Sequence, residues 1–260
     1  MIHVKKDLVY LDYFSGFEDV IAIEAILKGT SKGELYLDSK ENPQVLVIWN
    51  GFDGFYAVLE EEYVSMVYDF ILRTVQSSEY EDFVVYLDSK LDGIKEKIIP
   101  ANNLESLEVL YYTGDILQNN VKADHQILDI SSVDLSLLDS FEDIREVIES
   151  TWQDYNTFIA HGHGFVSIKD HVVTGYCISE HVTESALEFS IEVHEKHHRK
   201  GIGYGLGRAM LERCFSENKK PAWYCTDDNS GSMSLAEKLG LKLISKFHVW
   251  YFNKSDLIGG

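Results

Sequence analysis

The sequence predicts an α+β protein in two parts, an amino-terminal part of residues 1–120 and a carboxy-terminal part of residues 121–260. Three observations carry this. Each half holds a hairpin-like pair of extended runs: GELYLD (33–38) with QVLVIW (44–49), and GFVSIK (164–169) with VVTGYCIS (172–179). Runs with helical spacing of apolar residues interrupt the extended ones in both halves. The second half alone carries a basic, glycine-rich stretch, HHRKGIGYGLG (197–207), between an extended run and a helical one.

The elements follow in order. Asn42-Pro43 breaks the first hairpin, and FYAVLE (55–60) extends it after a turn spanning Gly51 to Gly54. EYVSMVYDFILRTV (62–75) reads as a helix, FVVYL (83–87) as a strand and SLEVLYYT (106–113) as another. The pattern restarts around Asn119 to Lys122, with DHQILDI (124–130) as a strand and residues 135–160 as two helices stopped by His161-Gly162-His163-Gly164. FVSIKD, VVTGYCISEHV and ALEFSIEV then form an antiparallel meander. After the glycines come a helix (204–219), a strand AWYCTD (222–227), a short helix (232–240) and a final strand LISKFHVWYF (243–252).

Composition narrows the function. The chain has 260 residues, 45% of them hydrophobic, which is enough for a sizeable core. No apolar run reaches the roughly 20 residues that span a bilayer, and the first residues have no signal-peptide pattern, so a cytoplasmic protein is expected. Three scattered cysteines without a CxxC pair fit a reducing compartment. A formal net charge of −20 disfavours nucleic acid and anionic membranes as partners and favours a cationic substrate. Within that acidic chain HEKHHRK (194–200) is a basic island, as an anion site would need.

A strand that ends in glycines opening a helix aims several main-chain N–H groups outward at the positive end of the helix dipole. Gly201 and Gly203 let a phosphate approach the backbone closely, and Arg199 and Lys200 add charge at the rim. The stretch is neither GxxxxGK[ST] nor GxGxxG, so neither a P-loop nor a Rossmann fingerprint is indicated. On LEFSIEV, Leu187, Phe189, Ile191 and Val193 face one way and Glu188, Ser190 and Glu192 the other. A carboxylate there is expected to line a cleft, which makes Glu188 the candidate general base or amine anchor. The histidines lack carboxylate or cysteine ligands at suitable spacing, so no metal site is expected.

The motif His198-Arg199-Lys200-Gly201-Ile202-Gly203 resembles the pyrophosphate loop of the GNAT (N-acetyltransferase) superfamily. WYCTDDNSGSMSLAEKLG (223–240) resembles its second cofactor segment, with Asn229, Ser232, Leu235 and Ala236 in register. The region from about 122 to 253 follows the superfamily's element order, and the combined pattern is similar to a bacterial group with an extra amino-terminal domain. The resemblance implies a GNAT fold, a mixed but mostly antiparallel sheet flanked by helices, preceded by an α+β accessory domain that is itself a degenerate GNAT-like half. It implies acetyl-CoA as cosubstrate and acetyl transfer by direct attack of a small-molecule or peptide amine. Ile191, Glu192 and Val193 would pair with the pantetheine arm. His198, Arg199, Lys200, Gly201, Ile202, Gly203 and Tyr204 would hold the pyrophosphate, and Asn229 and Ser232 would complete the cofactor site. Two positions depart from the family pattern. His198 replaces a glutamine or arginine, and Ala236 stands where many members carry a tyrosine that protonates the thiolate, leaving Tyr224 or a water for that role, or a thiolate that departs unprotonated. An acyl-CoA-binding module without turnover is the alternative, and oligomerisation is left open.

Overall fold

The structure, a computed structural model, describes residues 1–17, 20–115, 126–138, 141 and 143–258. In chain order its elements are β1 (Ile2–Val4), α1 (Val20–Lys28), β2 (Glu34–Leu37), β3 (Leu46–Trp49), β4 (Gly54–Val58), α2 (Val64–Ser77), β5 (Asp82–Leu87), α3 (Lys95–Ile98) and β6 (Glu105–Thr113). There follow β7 (Ile127–Asp129), α4 (Leu135–Leu138), α5 (Asp143–Thr151), α6 (Tyr155–His161), β8 (Gly164–Lys169), β9 (Val172–Val182) and β10 (Ala186–Val193). The chain closes with α7 (Ile202–Ser216), β11 (Lys220–Thr226), α8 (Ser230–Lys238), β12 (Lys242–Asn253) and α9 (Lys254–Ile258).

The chain forms two compact units, Met1–Val109 with Phe247–Gly260, and Leu110–Lys246. The boundary expected at residue 120 lies outside the described residues. The compact units divide at Val109/Leu110, within β6, and the chain end from Phe247 belongs to the first unit. The cause is a long-range pairing: Trp250, Tyr251, Phe252 and Asn253 of β12 lie antiparallel to Val85, Val84, Phe83 and Asp82 of β5.

In the first unit the strand order is β1-β2-β3-β4-β5-β12, with β1 to β4 antiparallel and β4 parallel to β5. The β3–β4 turn is fixed by Asn50, whose Oδ1 accepts from the N–H groups of Phe52, Asp53 and Gly54 at 2.9, 3.0 and 2.8 Å. Along α2 the four-residue spacing of Val67, Ile71 and Val75 makes one apolar stripe, fully buried against Val47, Phe55, Phe83 and Val85. Ile23, Ile26 and Leu27 of α1 pack with Leu35, Leu46 and Ile48 in a separate cluster.

The second unit repeats that plan. Strands β7, β8, β9 and β10 run antiparallel, α7 crosses over, β11 lies parallel to β10, and β6 stands beyond β11. Thr113 Oγ1 of β6 donates to the Pro221 carbonyl of β11 at 2.6 Å. In each unit the sixth strand is therefore drawn from the other half of the sequence. Ile202, Leu206, Met210 and Cys214 of α7 fill a core with Leu187, Phe189 and Trp223. Ile144 and Ile148 of α5, Trp152 just after it and Phe158 of α6 fill another with Val166, Tyr176 and Ile178. Among the described residues the helical region expected as two helices holds three, α4, α5 and α6, and Asp154 caps α6 by accepting from Thr157 N–H at 2.7 Å.

Candidate active site

The second unit's parallel strands pair only at their beginnings. The register runs Ala186 with Lys220, Leu187 with Pro221 and Glu188 with Ala222, and ends there. Yet β10 continues to Val193 and β11 to Thr226. The far side of β10 stays paired with β9 throughout, down to Val193 with Gly175. One main-chain edge of residues 189–193 is thus left to something other than β11, at the carboxyl ends of two parallel strands, where open α/β sheets bind ligands.

The first turns of α7 and α8 follow those strand ends. Gly201 caps α7 at φ +82°, and Arg199 before it also has positive φ, +60°. The first helical hydrogen bond is Gly205 N–H to Gly201 O at 3.0 Å. The N–H groups of Ile202, Gly203 and Tyr204 precede it and cannot be satisfied by the helix itself. A Cβ on Gly201 would meet nothing within 4 Å, whereas one on Gly203 would lie 3.2 Å from Leu235 Cδ2 of α8 and 3.7 Å from Val193 Cγ2. The cradle is open at Gly201 and narrow at Gly203, which fits a group approaching main chain.

His194, Lys196, Arg199 and Lys200 are exposed around this turn. The His197 imidazole is held below its ordinary value, first by burial and then by Lys200, His194, Lys169 and Lys196, so the loop already resists adding positive charge. His198 uses its Nε2 as a donor to the Val193 carbonyl at 2.7 Å, tying the loop to the end of β10. The Tyr204 ring, expected beside the phosphates, is buried in the α7 core, with Lys238 Nζ 5.5 Å from its centroid.

In the second segment Asn229 Oδ1 accepts from Ser232 N–H at 3.0 Å as the cap of α8, and Ser232 Oγ accepts from Trp223 Nε1 at 2.9 Å. These two residues therefore build the turn that places α8. Ala236 is fully buried in the α7 core, so its position offers no group to the opening.

Glu188 is 9% exposed, at the last paired position of β10, with His181 opposite it on β9. Two residues of β9 meet one step of β10 here, leaving Glu180 as the bulged residue between His181 and Ser179. Tyr224 stands two residues beyond Ala222 on β11, and its ring stacks on Tyr111 of β6 at 4.9 Å. Alternation puts Tyr224 on the face of Glu188 and Ser190, and Trp223 and Cys225 on the α7 face. Sequence reasoning missed Tyr111 and His181, since each reaches the site only through strand pairing. Among the described residues no group of three or more His, Cys, Asp or Glu could hold a metal ion. His163 instead meets Glu217 at 3.1 Å, and burial raises the Cys225 thiol.

The family model for GNAT acetyltransferases matches residues 12–250. The chain belongs to the GNAT acetyltransferase family. The uncharacterized N-acetyltransferase YdfB of Bacillus subtilis (strain 168) is 26% identical over 103 residues, 40% of this chain. The chain likewise spans 40% of the length of that curated relative. Solved structures extend the GNAT likeness over nearly the whole chain at the level of fold. A GCN5-related N-acetyltransferase-like protein from Streptococcus suis 89/1591 has a TM-score of 0.70 at 16% identity, covering 95% of this chain and 96% of that one. A tandem GNAT protein from the clavulanic acid biosynthesis pathway, without AcCoA, has a TM-score of 0.61 at 9% identity, with 94% of each chain covered. A GNAT-family acetyltransferase from Colwellia psychrerythraea has a TM-score of 0.59 at 13% identity, covering 96% and 97%. Among the described residues no helix is long and apolar enough to cross a membrane.

Proposed function

We propose that this GNAT protein transfers an acetyl group from acetyl-CoA to a primary amine of a small molecule or peptide, using one site in the second unit. The observation that carries the reading is the early end of β10–β11 pairing, which leaves a strand edge not joined to β11 leading to the amino end of α7. The main chain of Ile191 to Val193 pairs with the pantetheine arm as an added strand would. The N–H groups of Ile202 to Tyr204, with Arg199 and Lys200, hold the pyrophosphate. Acetyl-CoA supplies an activated acyl thioester. Glu188 takes the proton from the incoming ammonium at the inner end of the opening, and its burial keeps that proton from bulk water. The Tyr224 phenol is the proton donor on the leaving side, because position 236 carries only a buried methyl group. An acidic chain favours a cationic acceptor.

Isothermal calorimetry with CoA tests the binding half. Micromolar or tighter binding that disappears in Gly203→Glu supports it, and no binding to the wild type overturns it. Thiol release from acetyl-CoA across a panel of amines tests the chemistry. Ala236 favours one second reading, an acyl-CoA-binding module without turnover, which CoA binding with no reactive amine would select.

A further inference from the structure

The Ser190 Oγ atom is buried and has no hydrogen-bond partner among the described residues. Buried hydroxyls are nearly always paired, and leaving one unpaired is costly. Ser190 is also on the stretch of β10 that has left β11, on the same face as Glu188. The first fact asks for a partner that arrives from outside, and the second says where it arrives.

Spacing fixes which part of that partner it meets. Two residues along a strand separate side chains on one face by about 6.6 Å. An attacking nitrogen stands about 3–3.5 Å from the carbonyl carbon, and the sulfur is one bond further on. With Glu188 at the nitrogen, the next side chain on that face towards the cradle meets the sulfur end. That is also the end where Ala236 supplies nothing.

We propose that the Ser190 hydroxyl is a catalytic hydrogen-bond donor to the departing thiolate. The inference rests on the acyl-CoA reading above. In the step, the amine nitrogen bonds to the acyl carbon, the C–S bond breaks, and sulfur leaves with the electron pair. The proton of the ammonium goes to Glu188. Ser190 keeps its own proton and shares it with sulfur, since an aliphatic alcohol is a far weaker acid than a thiol; the thiolate is then protonated by Tyr224.

The test needs no knowledge of the acceptor. Free CoA is added to the protein and its bound thiol is titrated by thiolate absorbance in the ultraviolet. A hydrogen bond to a charged group is worth about 1.5–3 kcal/mol, so Ser190→Ala raises the bound thiol's pKa by about one to two pH units relative to the wild type. Ser190→Thr, which keeps the hydroxyl on a strand, stays near the wild-type value. An Ala variant that binds CoA with an unchanged thiol pKa overturns the proposal, as does a Thr variant that shifts as far as Ala. Absence of CoA binding to the wild type is a different result: it removes the acyl-CoA reading, and this inference with it. An Ala variant that no longer folds leaves the decision to Thr and to Ser190→Cys, which is expected to retain only part of the effect.

Discussion

His198 Nε2 and the Val193 carbonyl oxygen are 2.7 Å apart, so the first residue of the phosphate motif is bound to the last residue of β10. Its hydrogen bond organises the loop in front of α7. One such bond is worth about 0.5–1.5 kcal/mol. His198→Ala should weaken CoA binding roughly three- to tenfold by calorimetry with little change in melting temperature, and His198→Gln, which keeps a donor, should recover part of it. Equal affinity in Ala and wild type would count against this role.

Glu188→Gln should lower turnover at neutral pH by roughly 100-fold or more, the range for losing a general base, while CoA affinity stays within about twofold. Steady-state rates with the best amine from the panel, alongside calorimetry, separate the two. A rate close to wild type would remove Glu188 from proton transfer.

Each chain should bind one CoA. In the first unit the equivalent parallel pair is closed along its length, from Gly54 with Val84 to Ala57 with Leu87. The turn before α2 presents Glu60, Glu61 and Glu62, where the second unit has its basic loop. Paired strands leave no edge to extend, and three carboxylates repel a pyrophosphate. A calorimetric stoichiometry of two would contradict both arguments.

Burial pushes the His181 imidazole down to about 4. The unfolded chain then binds a proton between about pH 6.5 and 4 that the folded chain refuses, so this contribution is complete above 6.5 and is lost as pH falls towards 4. It amounts to at most about 3 kcal/mol. His163, also lowered chiefly by burial, acts in the same direction. Melting temperatures measured from pH 7 to 4.5 should fall for the wild type and fall less for His181→Gln; parallel curves would exclude His181 as a source.

The features legible in sequence were those set by local chemistry. The glycines opening a helix with outward main-chain N–H groups follow from HHRKGIG alone, and the alternation on ALEFSIEV placed Glu188 and Ser190 on one face. VIAIEAILK of α1 escaped because its apolar residues lie nearly all round the helix, giving neither period. The place where β10 leaves β11, the return of β12 to the first unit and the pairing of His181 with Glu188 depend on register between distant segments, which no local pattern encodes. The motif reading of Asn229 also met a competing demand, since its Oδ1 is already engaged in capping α8.

In the proposed reaction the β10 edge beyond the last β11 pair would divide the labour of recognition between two kinds of atom. Main-chain amides are the same whatever side chains they carry, so in the proposed reaction the acyl donor would be held by something substitution cannot easily erase. In the proposed reaction the acceptor would meet side chains on one face, among them Glu188, Ser190 and Tyr224. Such a scaffold can exchange one amine for another through a handful of replacements while its donor stays constant, and new specificities are reached without rebuilding the half that delivers the acyl group.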